Sequence, residues 1–268
     1  MLWSASQIVG YDIAATDGSI GRVADFLFDD AAWAVRWMEV DTGGWLSGRK
    51  ILIPPSCLGR PHPSDESFPV ELTRKQVEES PELASDQPVS HQHETRIYDY
   101  YGWEPYWTIG PWPGGYAAPF GMMPRQFPAG ARPRTPVVEP EQRGDPHLRS
   151  TESVVGHHIE ATDGEIGHVD DFLLDSECWA IRYLVVDTRN WWPGKKVLVA
   201  PQWMQAIDWP DRRITCDLTR EQIRSSPEFD PQKPLGRDAE ERLHRHYQRL
   251  GYWMQTAEAG EDNRANRS

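Results

Sequence analysis

The chain carries one stretch twice. Residues 16–42 read TDGSIGRVADFLFDDAAWAVRWMEVDT, and residues 162–188 read TDGEIGHVDDFLLDSECWAIRYLVVDT. Thr162 follows Thr16 by 146 residues, and the same offset links Gly10 with Gly156, Trp45 with Trp191 and Pro55 with Pro201. It still holds at Leu72-Thr73-Arg74 against Leu218-Thr219-Arg220 and at Ser80-Pro81-Glu82 against Ser226-Pro227-Glu228. An offset that constant means duplication without insertion or deletion. Whatever one copy folds into, the chain folds into twice.

With 268 residues, the duplication fixes two domains, each large enough for one modest core. Thirteen tryptophans help, because large aromatics bury much area per residue. The net charge is −13, with Lys and Arg scattered. Nucleic acid is therefore excluded as an expected partner, since affinity for it comes from neutralising phosphates. Anionic membrane surfaces are disfavoured on the same ground. No apolar run of about 18 residues reads as a transmembrane helix, which leaves peripheral membrane association as the only membrane reading. The start, MLWSASQIVGYDI, lacks the basic and apolar regions of a secretory signal. Cys57, Cys178 and Cys216 have Trp203, Ala32 and Val70 as counterparts, so they are not a disulfide framework. A reducing cytoplasm is the expected location.

Within one copy the signals are those of short strands. Ile8–Ile13 is apolar and ends at Asp17-Gly18, a tight-turn pair. Ile20–Phe28 is long for a straight strand, and Gly21 marks a bend or bulge. Ala34–Val40 is apolar on both faces, as is its counterpart from Ala180, so the strand is covered on both sides. Gly43-Gly44 and Gly48 bracket a loop, Lys50–Ile53 is the next strand, and Phe68–Leu72 alternates with Pro69 as an edge marker. Thr73…Gln76 and Thr219…Gln222 both fit the capping box of a short helix. The spacing predicts mainly β structure: two tandem small antiparallel barrels, each followed by a short C-terminal helical extension.

The pattern G-x-I-G-x-V-x-D-F-L, then an Asp, an apolar strand, a Gly-rich turn and Lys leading to Pro, resembles the PRC-barrel domain. Gly18, Ile20, Gly21, Val23, Asp25, Leu27, Asp29 and Pro54/Pro55 carry it in the first copy. Gly164, Ile166, Gly167, Val169, Asp171, Leu173, Asp175 and Pro201 carry it in the second. That barrel occurs in the H subunit of purple-bacterial photosynthetic reaction centres and in the C-terminal half of a bacterial ribosome-maturation factor. The membrane helix of the first and the N-terminal domain of the second have no counterpart in these residues. Two barrels in tandem look like the stand-alone bacterial PRC-barrel proteins. The resemblance implies fold; it implies an accessory role on a membrane photosynthetic or redox complex only as an alternative.

The expected organisation is a first barrel with its helical extension over 1–103, and a Pro-, Gly- and aromatic-rich linker over 104–150. A second barrel with its extension covers 151–255, and a disordered tail 256–268. The helical stretches Ser90–Gly102 and Gly236–Gly251 each end in Gly plus aromatics, which sets their register about three residues off the constant offset. His91-x-His93 and His244-x-His246 on them read as solvated side chains.

Candidate site residues come in three groups. Arg36 and Arg182 sit inside apolar strands and need partners, for which Asp25 and Asp171 are the candidates in a structural pair. Trp33, Trp45, Trp179 and Trp191 recur and are candidate interface anchors, against a simpler role in covering the barrel. The acidic trio Asp25/Asp29/Asp41, repeated as Asp171/Asp175/Asp187, and the cluster His157, His158, His168, Asp170, Asp171 could each be read as metal-binding. The trio matches no dedicated calcium loop, and the histidines occur in one copy only. No catalytic motif stands out, no cofactor is implied, and no metal is expected. The leading expectation is a non-catalytic protein-binding or scaffold module; metal-dependent chemistry on the second barrel through His157, His158 and Asp171 is the enzymatic alternative, weakened because the first copy lacks these histidines. Barrel–barrel packing or a homodimer is compatible with it.

Overall fold

The computed structural model describes residues 1–46, 48–81, 89, 91–103, 145, 147–188 and 194–254. The chain is mainly β, with two mixed sheets and little helix. The described residues divide into two compact units. The N-unit is Gln7–Ser150 with Ser176–Ala180; the C-unit is Met1–Ser6, Thr151–Asp175 and Ile181 onward.

The N-unit contains β2 (Asp12–Ala15), β3 (Gly18–Asp29), β4 (Ala34–Asp41), β5 (Lys50–Ile53), β6 (Ser67–Pro69) and β7 (Leu148–Ser150). Two helices belong to it, α2 (Arg74–Glu78) and α3 (His91–Tyr101). In the C-unit, β1 (Leu2–Ser4) joins β8 (His158–Ala161), β9 (Gly164–Asp175), β10 (Ile181–Asp187), β11 (Lys196–Val199), β12 (Met204–Asp208) and β13 (Arg213–Cys216). Its helices are α4 (Thr151–Val154), α5 (Arg220–Arg224) and α6 (Arg237–His246). One further turn of helix, α1 (Ala5–Ile8), follows β1.

The sheet order in the N-unit is β5-β4-β3-β2-β6, with β7 also on β3. In the C-unit it is β11-β10-β9-β8-β13-β12, with β1 also on β9. Both are open along these paths rather than closed barrels. Nor are they purely antiparallel: β6 runs parallel to β2, and β13 parallel to β8. Hairpin signals describe neighbours in sequence; these parallel pairs join strands some 50 residues apart, where no turn residue marks the pairing. Pro69 sits in β6, which ends its sheet, so its missing N–H costs no ladder bond there.

Local chemistry explains the elements. Thr73 accepts the Gln76 N–H while Gln76 returns a bond to the Thr73 N–H, and Thr219 and Gln222 repeat this. Gly21 and Gly167 lie where the long strand passes the end of its neighbour, with φ of +144° and +149°. A Cβ at either would overlap the carbonyl oxygen of Asp41 or Asp187, so glycine is required by contact as well as by conformation. β4 and β10 are buried along both faces, and Trp37 and Tyr183 are among the largest wholly buried side chains.

Residues 148–150, read from sequence as the end of the linker, are instead a strand, and Asp145 just before them is held to β4. Residues 104–144 and 146 of the expected linker, and all of the expected tail at 256–268, lie outside the described residues.

Candidate functional site

Two arrangements recur in both units. The first is an edge that takes in a short strand. The far end of β3 pairs Leu27–Asp29 with Leu148–Ser150, and the far end of β9 pairs Leu173–Asp175 with Leu2–Ser4. The incoming strands are the same repeat position, since Leu148 follows Leu2 by the offset of 146. Yet β1 opens the first copy and completes the sheet of the second, while β7 opens the second copy and completes the sheet of the first.

A carboxylate reads each incoming serine. Ser4 Oγ donates to Asp171, which also accepts from Ser6 Oγ at 2.6 Å and the Ser6 N–H at 3.1 Å. Ser150 Oγ donates to Asp25. Both aspartates also accept the N–H of the next residue, Phe26 or Phe172, at 2.8 Å. Both are buried, so their charge needs these donors. Serine is therefore favoured at this position of a captured strand.

The second arrangement is a buried glutamate that a helix presses against the middle of the sheet. Glu94 of α3 is 0% exposed and accepts the Trp37 indole N–H at 2.6 Å. Arg36 stands 3.9 Å away, paired also with Asp29 and, at 2.5 Å, with Asp145. In the C-unit, Glu240 of α6 is 3% exposed. It meets the Tyr183 hydroxyl at 3.1 Å, the Tyr252 hydroxyl at 2.9 Å and Arg237 at 3.1 Å. Arg182 donates to Asp175 at 2.9 Å and lies 3.9 Å from the centre of the Tyr252 ring.

Glu240 follows Glu94 by 146, as His244 follows Tyr98 and Tyr247 follows Tyr101. The offset thus runs unbroken into the helices. The three-residue shift expected there is wrong: matching Gly102 to Gly251 aligned two helix ends, not two buried faces. His244 is likewise not solvated. It is 3% exposed, flanked by Trp203 and Trp253, while His246 bonds the Gln222 carbonyl at 2.7 Å. The side chains of His91 and His93 are outside the described residues.

The C-unit cluster has a definite proton count. His244 Nδ1 lies 3.1 Å from the Leu250 carbonyl, which can only accept, so Nδ1 carries hydrogen. His244 Nε2 lies 2.8 Å from the Tyr183 oxygen, which also faces Glu240. The single tyrosine proton cannot satisfy a neutral imidazole nitrogen and an ionised carboxylate together. Both contacts are hydrogen bonds only if the Glu240–Tyr183–His244 line holds one proton more than neutral His with ionised Glu. Burial raises the pKa of Glu240 and lowers that of His244, and both shifts favour the glutamate end for this proton. The N-unit counterpart has Trp37 and Tyr98 in these places, and an indole N–H cannot relay a proton.

The other candidate residues are placed as follows. Arg36 takes Asp29 and Asp145 rather than Asp25, and Arg182 takes Asp175 rather than Asp171. Asp25 and Asp171 face the incoming strand instead; the true partner stands seven residues before the arginine, across the hairpin. Trp179 is buried, stacked near Phe26 and Phe68, and its carbonyl accepts the Val35 N–H, so it is core rather than an anchor. Trp33 is half-buried on Phe28, and both turn tryptophans take positive φ, 52° and 56°. Trp45 is half-buried beneath Arg74, 4.7 Å from the ring centre. Trp191 lies outside the described residues.

Of the histidine cluster, His158 and His168 are register partners across β8 and β9, and the other members have partners of their own. His158 bonds Glu165 at 3.0 Å, His157 packs edge-on against Trp209, and Asp170 pairs with Lys196. Among the described residues no group of three His, Cys, Asp or Glu side chains could hold a metal ion. Cys57, Cys178 and Cys216 are free thiols. Among the described residues no helix is long and apolar enough to cross a membrane.

Comparison with known families agrees with part of this picture. Residues 3–60 match the model of the PRC-barrel domain, which places one such domain there. No curated protein matches the chain.

Proposed function

We propose that the chain is a tandem PRC-barrel protein, one barrel-type domain with its helix per copy, that works without catalysis as a protein-binding and scaffold module. What carries the reading is the strand pairing of β1 on β9 and of β7 on β3. Each sheet takes in a backbone segment from outside its own copy and reads it through a serine. Adding a strand to a sheet edge is a general mode of protein recognition, in which backbone bonds give affinity and side-chain pockets give selectivity. The buried acids that a catalytic reading would use are engaged in holding helices and strands.

In-cell cross-linking of the intact chain, followed by membrane and soluble fractionation, tests this. The expected result is reproducible links to a protein partner. Links only to a membrane redox or photosynthetic complex would move the accessory-subunit reading to the front. No protein links above those of an unrelated control would overturn the proposal.

A further inference from the structure

We infer that the short first strand is an exchangeable arm and that a second copy of this chain is a partner for it. Residues 2–4 of one molecule would pair with β9 of another, and residues 148–150 with β3. This goes beyond the binding role above and needs no foreign partner.

The exchange is already part of the fold, because each arm belongs by sequence to one copy and by pairing to the other. Every bond that forms this way within a chain is available between chains. In such swaps only the connecting segment changes conformation. Here that segment is one helical turn, α1 after β1 and α4 after β7, four residues each. Helices that short have no stability of their own, so opening the connection costs chiefly the exposure of Ala5 and Ile8 in α1 or of Thr151 and Val154 in α4. The joint to be broken at β1 is small. Three residue pairs and the serine–aspartate bonds hold the β1 arm, which puts its release at the low end of local opening free energies, whereas the β7 arm is held further by His147 and Arg149 on Asp30 and by Leu148 on the core. The same bonds make the exchange selective, since an arm without serine would leave Asp25 or Asp171 short of a donor in a buried place.

The test uses two full-length chains, both carrying Cys57→Ala, Cys178→Ala and Cys216→Val. One adds Trp3→Cys and the other Leu174→Cys, residues that face each other across the pairing. A disulfide between the two chains above the level of random collision requires exchange. A chain bearing both substitutions must close the bond internally, which shows that the arm docks as described. Val155→Cys, at an exposed position, gives the background of random collision. The expected yield of mixed disulfide is several times that background, and Ser4→Ala with Ser6→Ala on the donor lowers it. A yield no higher than background, with the internal bond intact, overturns the inference. Should Leu174→Cys fail to fold, native mass spectrometry of isotopically light and heavy unsubstituted chains decides. Mixed dimers that Ser4→Ala with Ser150→Ala removes support exchange; their absence overturns it.

Discussion

The indole N–H of Trp37 donates to Glu94 across 2.6 Å, inside a site where neither side chain reaches water. The bond ties the helix α3 to the centre of its sheet. Removing the acid would leave the indole N–H without its buried acceptor and take one of three carboxylates from Arg36. Breaking a buried charged network from one side costs about 3–5 kcal/mol. Glu94→Ala is therefore expected to destabilise the N-unit by about that much. Trp37→Phe, which leaves Glu94 beside Arg36, should cost less. Denaturant unfolding of both variants checks the order.

The two strand arginines are not equivalent. Arg36 stands among Asp29, Asp145 and Glu94, while Arg182 has Asp175 and shares its neighbourhood with Arg237. Arg36→Met strips three carboxylates of a common cation. Arg182→Met takes the cation from Asp175 and one of the two that act on Glu240, which keeps Arg237. We expect Arg36→Met to be the more destabilising by about 1–2 kcal/mol, within the range for buried pairs broken on one side. Equal unfolding midpoints for the two variants would contradict this.

Gly21 and Gly10 make a second contrast. Both have positive φ, but a Cβ at Gly10 meets nothing within 4 Å, whereas at Gly21 it meets the Asp41 carbonyl oxygen. Gly10→Ala is expected to cost about 1 kcal/mol, the conformational penalty alone. Gly21→Ala must also move the β3–β4 crossing and should cost well over that, as should Gly167→Ala in the C-unit. Thermal melts of the three variants would separate conformation from contact.

The features that were legible in the sequence are local or repeated. Capping boxes, the Gly21 bend, the β5 strand and the doubly buried β4 all follow from residues within a few positions of each other. The partners of Arg36 were legible only in part. Asp29 is seven residues away and visible as a repeated acid, but Asp145 lies 109 residues downstream, in a segment whose composition reads as linker. The arms escaped notice because three residues are too few to show alternation. The buried glutamates had a signal: the offset of 146 reaches Glu94 and Glu240, but a pair of glycines at the helix ends offered a more conspicuous and mistaken alignment.

The proton held by Glu240, Tyr183 and His244 gives the C-unit a specific pH profile. An unfolded chain binds two protons on this Glu–His pair below the ordinary glutamate value of 4.5, one between 4.5 and 6.5, and none above 6.5. Glu240, whose folded pKa is raised by burial, contributes stability that is full below 4.5 and is lost as pH rises through the raised value. His244, whose folded pKa is lowered by burial, contributes stability that is full above 6.5 and is lost as pH falls through the lowered value. While either group titrates, its slope is up to about 1.4 kcal/mol per pH unit. Glu240→Gln is therefore expected to lose the decline that sets in as pH rises past 4.5 and to keep the decline that sets in as pH falls past 6.5; His244→Gln should do the reverse. Urea unfolding across pH 4 to 9, read through a C-unit probe, measures this. A wild-type profile parallel to that of both variants would mean that the cluster holds no shared proton.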